Sequence, residues 1–145
     1  MTALTEGRNT PEALGQMRST AVAASTKIYA GAMVMVNATG FAVEGQTATG
    51  LIGLGRSEET VDNSEGANGD LDVSWKSGSF RYANSAGADE ITAADIGKPC
   101  YAVDDQTVAK TDDTGARSPA GLIDFVDAQG VWVLFDPSLT RAATA

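Results

Sequence analysis

The chain has 145 residues, with ten Lys and Arg against nineteen Asp and Glu, no histidine and one cysteine. Its net charge of −9 argues against nucleic acid and acidic membrane surfaces as partners, because affinity for phosphate rests on neutralisation by Lys and Arg. One cysteine allows no internal disulfide, and no run approaches the ~20 apolar residues of a membrane-spanning helix.

The length suits one domain with a tail. The opening stretch MTALTEGRNTPEALGQ lacks the apolar centre of a secretory signal, so a soluble protein made in the cytoplasm is expected. Residues 1–25 show no period-2 apolar pattern. Within TPEALGQMRS, Thr10 suits a helix cap, Pro11 the first helical position, and Leu14 and Met17 lie three apart. One such turn is too short to be stable alone. The segment reads as an arm that orders on a partner surface, or as a disordered tail.

From Lys27 the chain becomes strand after strand. KIYAGAMVMVN alternates and then runs apolar, a short turn follows Asn37, and GFAVEG continues. ATGLIGLGR carries glycines that suggest bends or close backbone approach. VDNSEGANGD, Val61 to Asp70, gathers carboxylates and amides around two glycines. A calcium loop counted from Asp62 needs glycine at the sixth position and glutamate at the twelfth. The chain has Ala67 and Val73 there, so a polar loop between strands is expected.

LDVSWKSGSFRYAN reads as a hairpin turning at Ser77-Gly78, with Trp75 opposite Phe80 and Val73 opposite Tyr82. In ITAADIG, Thr92 and Asp95 form a capping box and Gly97 ends a helix about one turn long. KPCYAVDDQTVAKT reads as a second hairpin, turning at Asp105-Gln106 with Val103 opposite Val108. GLIDFVDAQGVWVLFD reads as a third, turning through Asp127 to Gly130, with Ile123, Phe125, Trp132 and Leu134 on the core face. Val131 and Val133 then point the other way, which implies a strand buried on both faces or an outer face that meets another subunit. The tail SLTRAATA is expected to fray. Many short strands with a turn every 8–12 residues predict an all-β barrel or sandwich. The boundaries are an arm at 1–25, a β-domain at 26–137 and a tail at 138–145.

Catalytic chemistry is hard to build from these residues. Without histidine the usual general base and the commonest transition-metal ligand are missing. Cys100 has no imidazole partner and cannot make a zinc site alone; a small buried hydrophobe is its expected role. Asp104-Asp105 and Asp112-Asp113 fall in predicted turns, where Asp serves local hydrogen bonding. No catalytic residue, metal ligand or cofactor is expected.

Three stretches together carry a family resemblance: VDNSEGANGDLDVSWKSGSFRYANS, ITAADIGKPCYAVDDQTVAKT and RSPAGLIDFVDAQGVWV. In their order and spacing they resemble the small capsid decoration, or cement, proteins of tailed bacteriophages, over about Lys27 to Phe135. The resemblance implies a compact β-barrel or β-tulip-like domain on the outside of an icosahedral head. The partners it implies are the major capsid protein and further copies of the chain, commonly as a trimer. Leu4, Arg8, Leu14, Met17 and Arg18 become candidate capsid contacts of the arm. Val131, Val133, Asp62, Asn63 and Asp70 become candidate subunit contacts. The competing reading is a carbohydrate-binding β-sandwich module, which stacks sugars on exposed aromatics such as Tyr29 or Tyr101.

Overall fold

The four apolar residues Met33–Val36 need cover on both sides of whatever sheet they join, and the fold supplies it. A computed structural model describes residues 2–145. In chain order the strands are β1 (Met17–Ala21), β2 (Thr26–Ile28), β3 (Met33–Val36), β4 (Ala42–Glu44), β5 (Ile52–Ser57), β6 (Val61–Asn63), β7 (Asp72–Lys76) and β8 (Gly78–Tyr82). Two single 3-10 turns, Gly87–Asp89 and Ala93–Asp95, precede β9 (Pro99–Ala102), β10 (Val108–Ala109), β11 (Pro119–Asp127) and β12 (Gly130–Phe135). One helix, α1 (Pro137–Ala143), closes the chain.

The protein is mostly β, in three antiparallel sheets. One five-stranded sheet runs β1-β7-β5-β3-β4, a second runs β10-β9-β11-β12-β8, and β2 pairs with β6. The sheets stay open and no closed barrel forms. On one face of the first sheet, Met33, Met35 and Val43 share a core with Cys100, Ile123, Val131, Val133 and Phe135 of the second. On the other face, Val34, Leu54, Val73 and Trp75 pack with Ile28 and Val61 of the small sheet. The first sheet is therefore a middle layer, which is why β3 is apolar at every position.

The glycines of β5 meet the expected close approach. A Cβ on Gly53 would overlap the carbonyl oxygen of Ala120 in β11. Only a residue without a side chain lets the two strands cross at that distance.

Three of the expected elements form otherwise than predicted. Val73 and Trp75 do share a buried face, but β7 and β8 are not a hairpin. β7 pairs with β1 and β5, and β8 pairs with β12. The chain turns a corner between sheets at Gly78, whose φ is 135°. Trp75 stays in the first sheet, its indole donating to Thr20 Oγ1 at 2.9 Å. Phe80 and Tyr82 instead pack on Phe135, with ring centroids 6.3 and 6.0 Å away. Alternation specifies a face, not a partner strand.

The second hairpin forms one residue out of register, with Val108 opposite Ala102. The Asp104 carboxylate accepts from Gln106 N at 2.9 Å and widens the turn. The third hairpin turns where expected and puts Phe125 opposite Trp132. A register shift at Asp124 then brings Ile123 opposite Val133. The core face of β12 is Val131, Val133 and Phe135, all buried. Val131 and Val133 are fully covered and make no surface for another subunit. Phe125 and Trp132 lie on the outer face instead.

Both ends differ from the expected boundaries. β1 pairs all five of its residues with β7, and Val22 and Ala23 are buried, so the domain begins near Met17 and not at residue 26. The tail is helical. Asp136 caps it, accepting from Leu139 N at 3.0 Å, with Pro137 in the first turn. Thr140 is fully buried, and α1 lies against β5 and β11. The capping box at Thr92 and Asp95 forms as read.

Two outcomes follow for urea unfolding. Removing residues 2–15 should leave the midpoint unchanged, whereas a chain starting at Ser25 loses β1 and Val22 and should fall by more than about 2 kcal/mol, the value of burying one valine. Phe135→Ala should cost about 3–5 kcal/mol, and Trp132→Ala clearly less. An equal loss for the two aromatics would mean the faces of β12 are wrongly placed.

Candidate functional site

No periodic apolar face runs through residues 2–16, and nothing in the domain covers them. Every residue from Thr2 to Gln16 is exposed and none is helical, so the turn expected from Thr10 does not form. Leu4 and Leu14 are 72% and 78% exposed. The segment meets the domain at Gln16, whose carbonyl accepts from Ser77 N at 3.0 Å. Arg8 has no ion pair among the described residues. The total surface is 8012 Å² for 14.9 kDa, where a compact chain of that mass shows about 7,000 Å²; the uncovered arm accounts for such an excess.

The five arm candidates therefore divide. Leu4, Arg8 and Leu14 belong to the arm. Met17 and Arg18 belong to β1, at the edge of the first sheet, and Met17 is half exposed. The Arg18 guanidinium donates to the carbonyls of Met17 and Gly15 at 2.7 and 3.2 Å.

At the other end of β1 the chain passes under the loop that follows β6. Asn63 is buried there. Its carboxamide nitrogen donates to the carbonyls of Ala23 and Ala67 at 2.9 and 3.0 Å. Asn68 Oδ1 accepts from Ala24 N at 2.7 Å, and Gly69 N donates to Val22 O at 2.9 Å. Ser25 N donates to Gly66 O at 3.3 Å. A Cβ at Gly66 would overlap the Asn63 carboxamide oxygen. The loop is thus a clamp over Val22–Ser25.

Its carboxylates are turned inward on the loop itself. Asp62 accepts from the amide and hydroxyl of Ser64, which hold it below the usual carboxylate range. Asp70 accepts from Ala67 N at 2.9 Å. Of the candidate subunit contacts, Asn63 is an internal strut, and only Asp62 and Asp70 reach solvent. Among the described residues, no three His, Cys, Asp or Glu are grouped to hold a metal ion.

The second sheet presents an aromatic row that sequence reasoning placed in the core. Phe125 is 43% exposed and stacks on Trp132 with centroids 4.9 Å apart and planes at 14°. Across the next strand, the Arg81 guanidinium lies 5.7 Å from the Trp132 ring centre. The indole N–H donates to Asp127 at 2.8 Å. Trp132 thus carries Phe125 stacked on one face, with the Arg81 guanidinium nearby. No signal in the sequence finds this row, because both alternating sets of β12 are apolar.

Two open clefts lie elsewhere. One of ≈ 520 Å³ is lined by Asn84, Ser85, Glu90, Thr92, Asp127 and Gln129 among others. Another of ≈ 470 Å³ runs past Tyr29, Asp105 and Gln106, with the Lys27 ammonium 4.8 Å from the Tyr29 ring centre. The Cys100 thiol is buried in the core, and burial pushes it up to about 12, so it is no thiolate near neutrality. Asp104 and Asp105, and Asp112 and Asp113, lie in the loops on either side of β10.

No family model, curated protein or solved structure matches the chain.

The electrostatic staples sit between β8 and β11. Asp89 meets Arg117 at 3.2 Å, and Asp95 meets Lys98 and Lys110 at 3.4 and 3.6 Å. Hydrogen bonds from Thr111 hold Asp89 low, and the Thr92 amide does the same for Asp95. A carboxylate with a lowered folded pKa stabilises above its unfolded value, about 3.9, and loses that contribution as pH falls through the folded one. Glu44, raised by burial, acts in the opposite sense, but it is one group against Asp62, Asp89, Asp95 and Asp127. The urea midpoint should therefore hold steady above about pH 5 and fall below about pH 4. Asp95→Asn should be less stable at pH 7 and show a shallower acid limb; an unchanged limb would remove Asp95 from this role.

Proposed function

We propose that the chain is a structural decoration protein. It attaches to the outer surface of a tailed-phage head and strengthens contacts between major capsid subunits. The carrying observation is the arm: Leu4 and Leu14 are uncovered by their own domain and joined to it through the edge strand β1. An apolar side chain left in water gains roughly 1.5–3 kcal/mol on full burial, and a groove between capsid subunits supplies that burial. Ordering the backbone costs about 1–2 kcal/mol per residue, so the binding energy concentrates on a few anchors. Many copies on one shell add their small contributions.

The family resemblance supports the same reading. Self-association as a trimer on the head rests on that resemblance alone, since Val131 and Val133 are core. The role needs no catalysis, cofactor or nucleic acid. Synthesis in the host cytoplasm followed by attachment to the virion is the matching itinerary.

The test is co-sedimentation with undecorated heads of a phage that encodes the chain. The full-length protein should pellet with the heads. The chain lacking residues 2–15, and Leu4→Ser/Leu14→Ser in the full chain, should stay in the supernatant while melting normally. Normal pelleting by both would move attachment onto the folded domain, and failure of the full chain to pellet would remove the function.

The alternative, a carbohydrate-binding module, has the exposure of Phe125 in its favour. Sugar stacking needs a free ring face, and Phe125 already occupies one face of Trp132. An oligosaccharide titration that changed tryptophan fluorescence would favour this alternative.

A further inference from the structure

The clamp over Val22–Ser25 contains a reactive pair. Asn68 is followed by Gly69, and it is the single Asn-Gly step among five asparagines. Both residues are exposed. A glycine amide nitrogen, with no Cβ beside it, reaches back to the preceding carboxamide more easily than that of any other residue.

The chemistry is intramolecular and needs only water. The Gly69 nitrogen gives up its proton and attacks Cγ of Asn68. An N–Cγ bond forms, the Cγ–Nδ2 bond breaks, and ammonia leaves carrying the proton. Water then opens the five-membered imide at either carbonyl, leaving aspartate or isoaspartate at position 68. One water enters and one ammonia departs, with no change of oxidation state.

The fold grips both reacting groups from the same segment. Ala24 N–H donates to Asn68 Oδ1 at 2.7 Å, which polarises the carbonyl and by itself favours attack. Val22 O accepts the Gly69 N–H at 2.9 Å, which ties up the nucleophile. The second effect governs, because no attack occurs until that nitrogen loses its proton and turns toward Cγ. With each group tied to residues two apart in one short segment, turning breaks a bond of the clamp.

We infer that Asn68-Gly69 is a self-modification site that deamidates, held in check by Val22–Ala24. Opening of the clamp frees the Gly69 nitrogen to attack. Reaction then makes the opening permanent: an isoaspartate adds a backbone carbon, so the Val22 and Ala24 bonds cannot both re-form. Either product adds a carboxylate beside Asp62, Glu65 and Asp70, all exposed. The step acts as a one-way release of Val22–Ser25, the segment that follows β1, and it stands whether or not the arm binds a capsid.

The experiment is peptide mapping by mass spectrometry on the full-length protein held at mildly alkaline pH, natively and in denaturing urea. In urea, modification should concentrate at position 68 over the other four asparagines. In the native protein it should be slower by about tenfold or more, as expected for a protected local opening. Asn63→Ala, which removes the strut of the clamp, should accelerate the native reaction well beyond Phe135→Ala, which weakens the core between the two large sheets without removing a hydrogen bond of the clamp. Equal native and denatured rates would overturn the inference, as would absence of product at position 68 in urea. Equal acceleration by the two variants would too, since protection would then come from global stability. Should Asn63→Ala not fold, the wild-type rate against sub-denaturing urea decides. A shallow slope means clamp opening, and a slope as steep as global unfolding refutes it.

Discussion

The side chains of β3 point to both sides of its sheet and all of them are apolar, so neither face of the first sheet can meet water. Most of the architecture answers that demand. The second sheet covers Met33 and Met35, and the β2–β6 pair covers Val34. The second sheet can come close enough only because Gly53 presents no Cβ to Ala120. The small sheet has only three residues in each strand, too little to hold by pairing alone. Its clamp, centred on Asn63, binds it to the chain entering from β1.

Much of this was legible and some of it was not, for physical reasons. Strand positions followed from alternation, and the Thr92–Asp95 box and the Asp127–Gly130 turn formed as read, because their signals are local. Pairing was less legible. Ser77-Gly78 resembles a hairpin turn, yet Trp75 and Phe80 go to different sheets, and only the tertiary partners Thr20 and Phe135 decide that. Val131 and Trp132 head two apolar rows, and a period of two cannot choose between two apolar rows. The bulge at Asp124 leaves no mark in composition. The helical tail is legible only through its cap: Asp136-Pro137 is a sound helix start, and Thr140 is buried against the sheets.

For the candidate site, the arm was recognisable because it lacks any pattern that would fold it. Its end was misplaced, because polar Arg18, Ser19 and Thr20 look like arm while pairing as an edge strand. VDNSEGANGD drew attention by its carboxylates, whereas its amides do the structural work. Asn63 and Asn68 satisfy backbone groups of another segment, a long-range role that spacing within the loop does not reveal. The domain and the arm thus divide two tasks. One part spends its apolar groups on its own core, and the other keeps Leu4 and Leu14 uncovered.

The way the arm is rooted gives it a mechanical direction. Five residue pairs join β1 to β7, and the Gln16–Ser77 bond lies just outside them. A force drawn along the axis of β1 shears all five pairs together and pulls on the clamp at Val22–Ser25 as well. A force drawn across the sheet instead peels the strand, breaking Gln16–Ser77 first and the pairs one after another. Tension applied at the N-terminus is therefore resisted strongly in one orientation and weakly in the other, and the angle at which the arm leaves the domain sets which of the two the protein experiences.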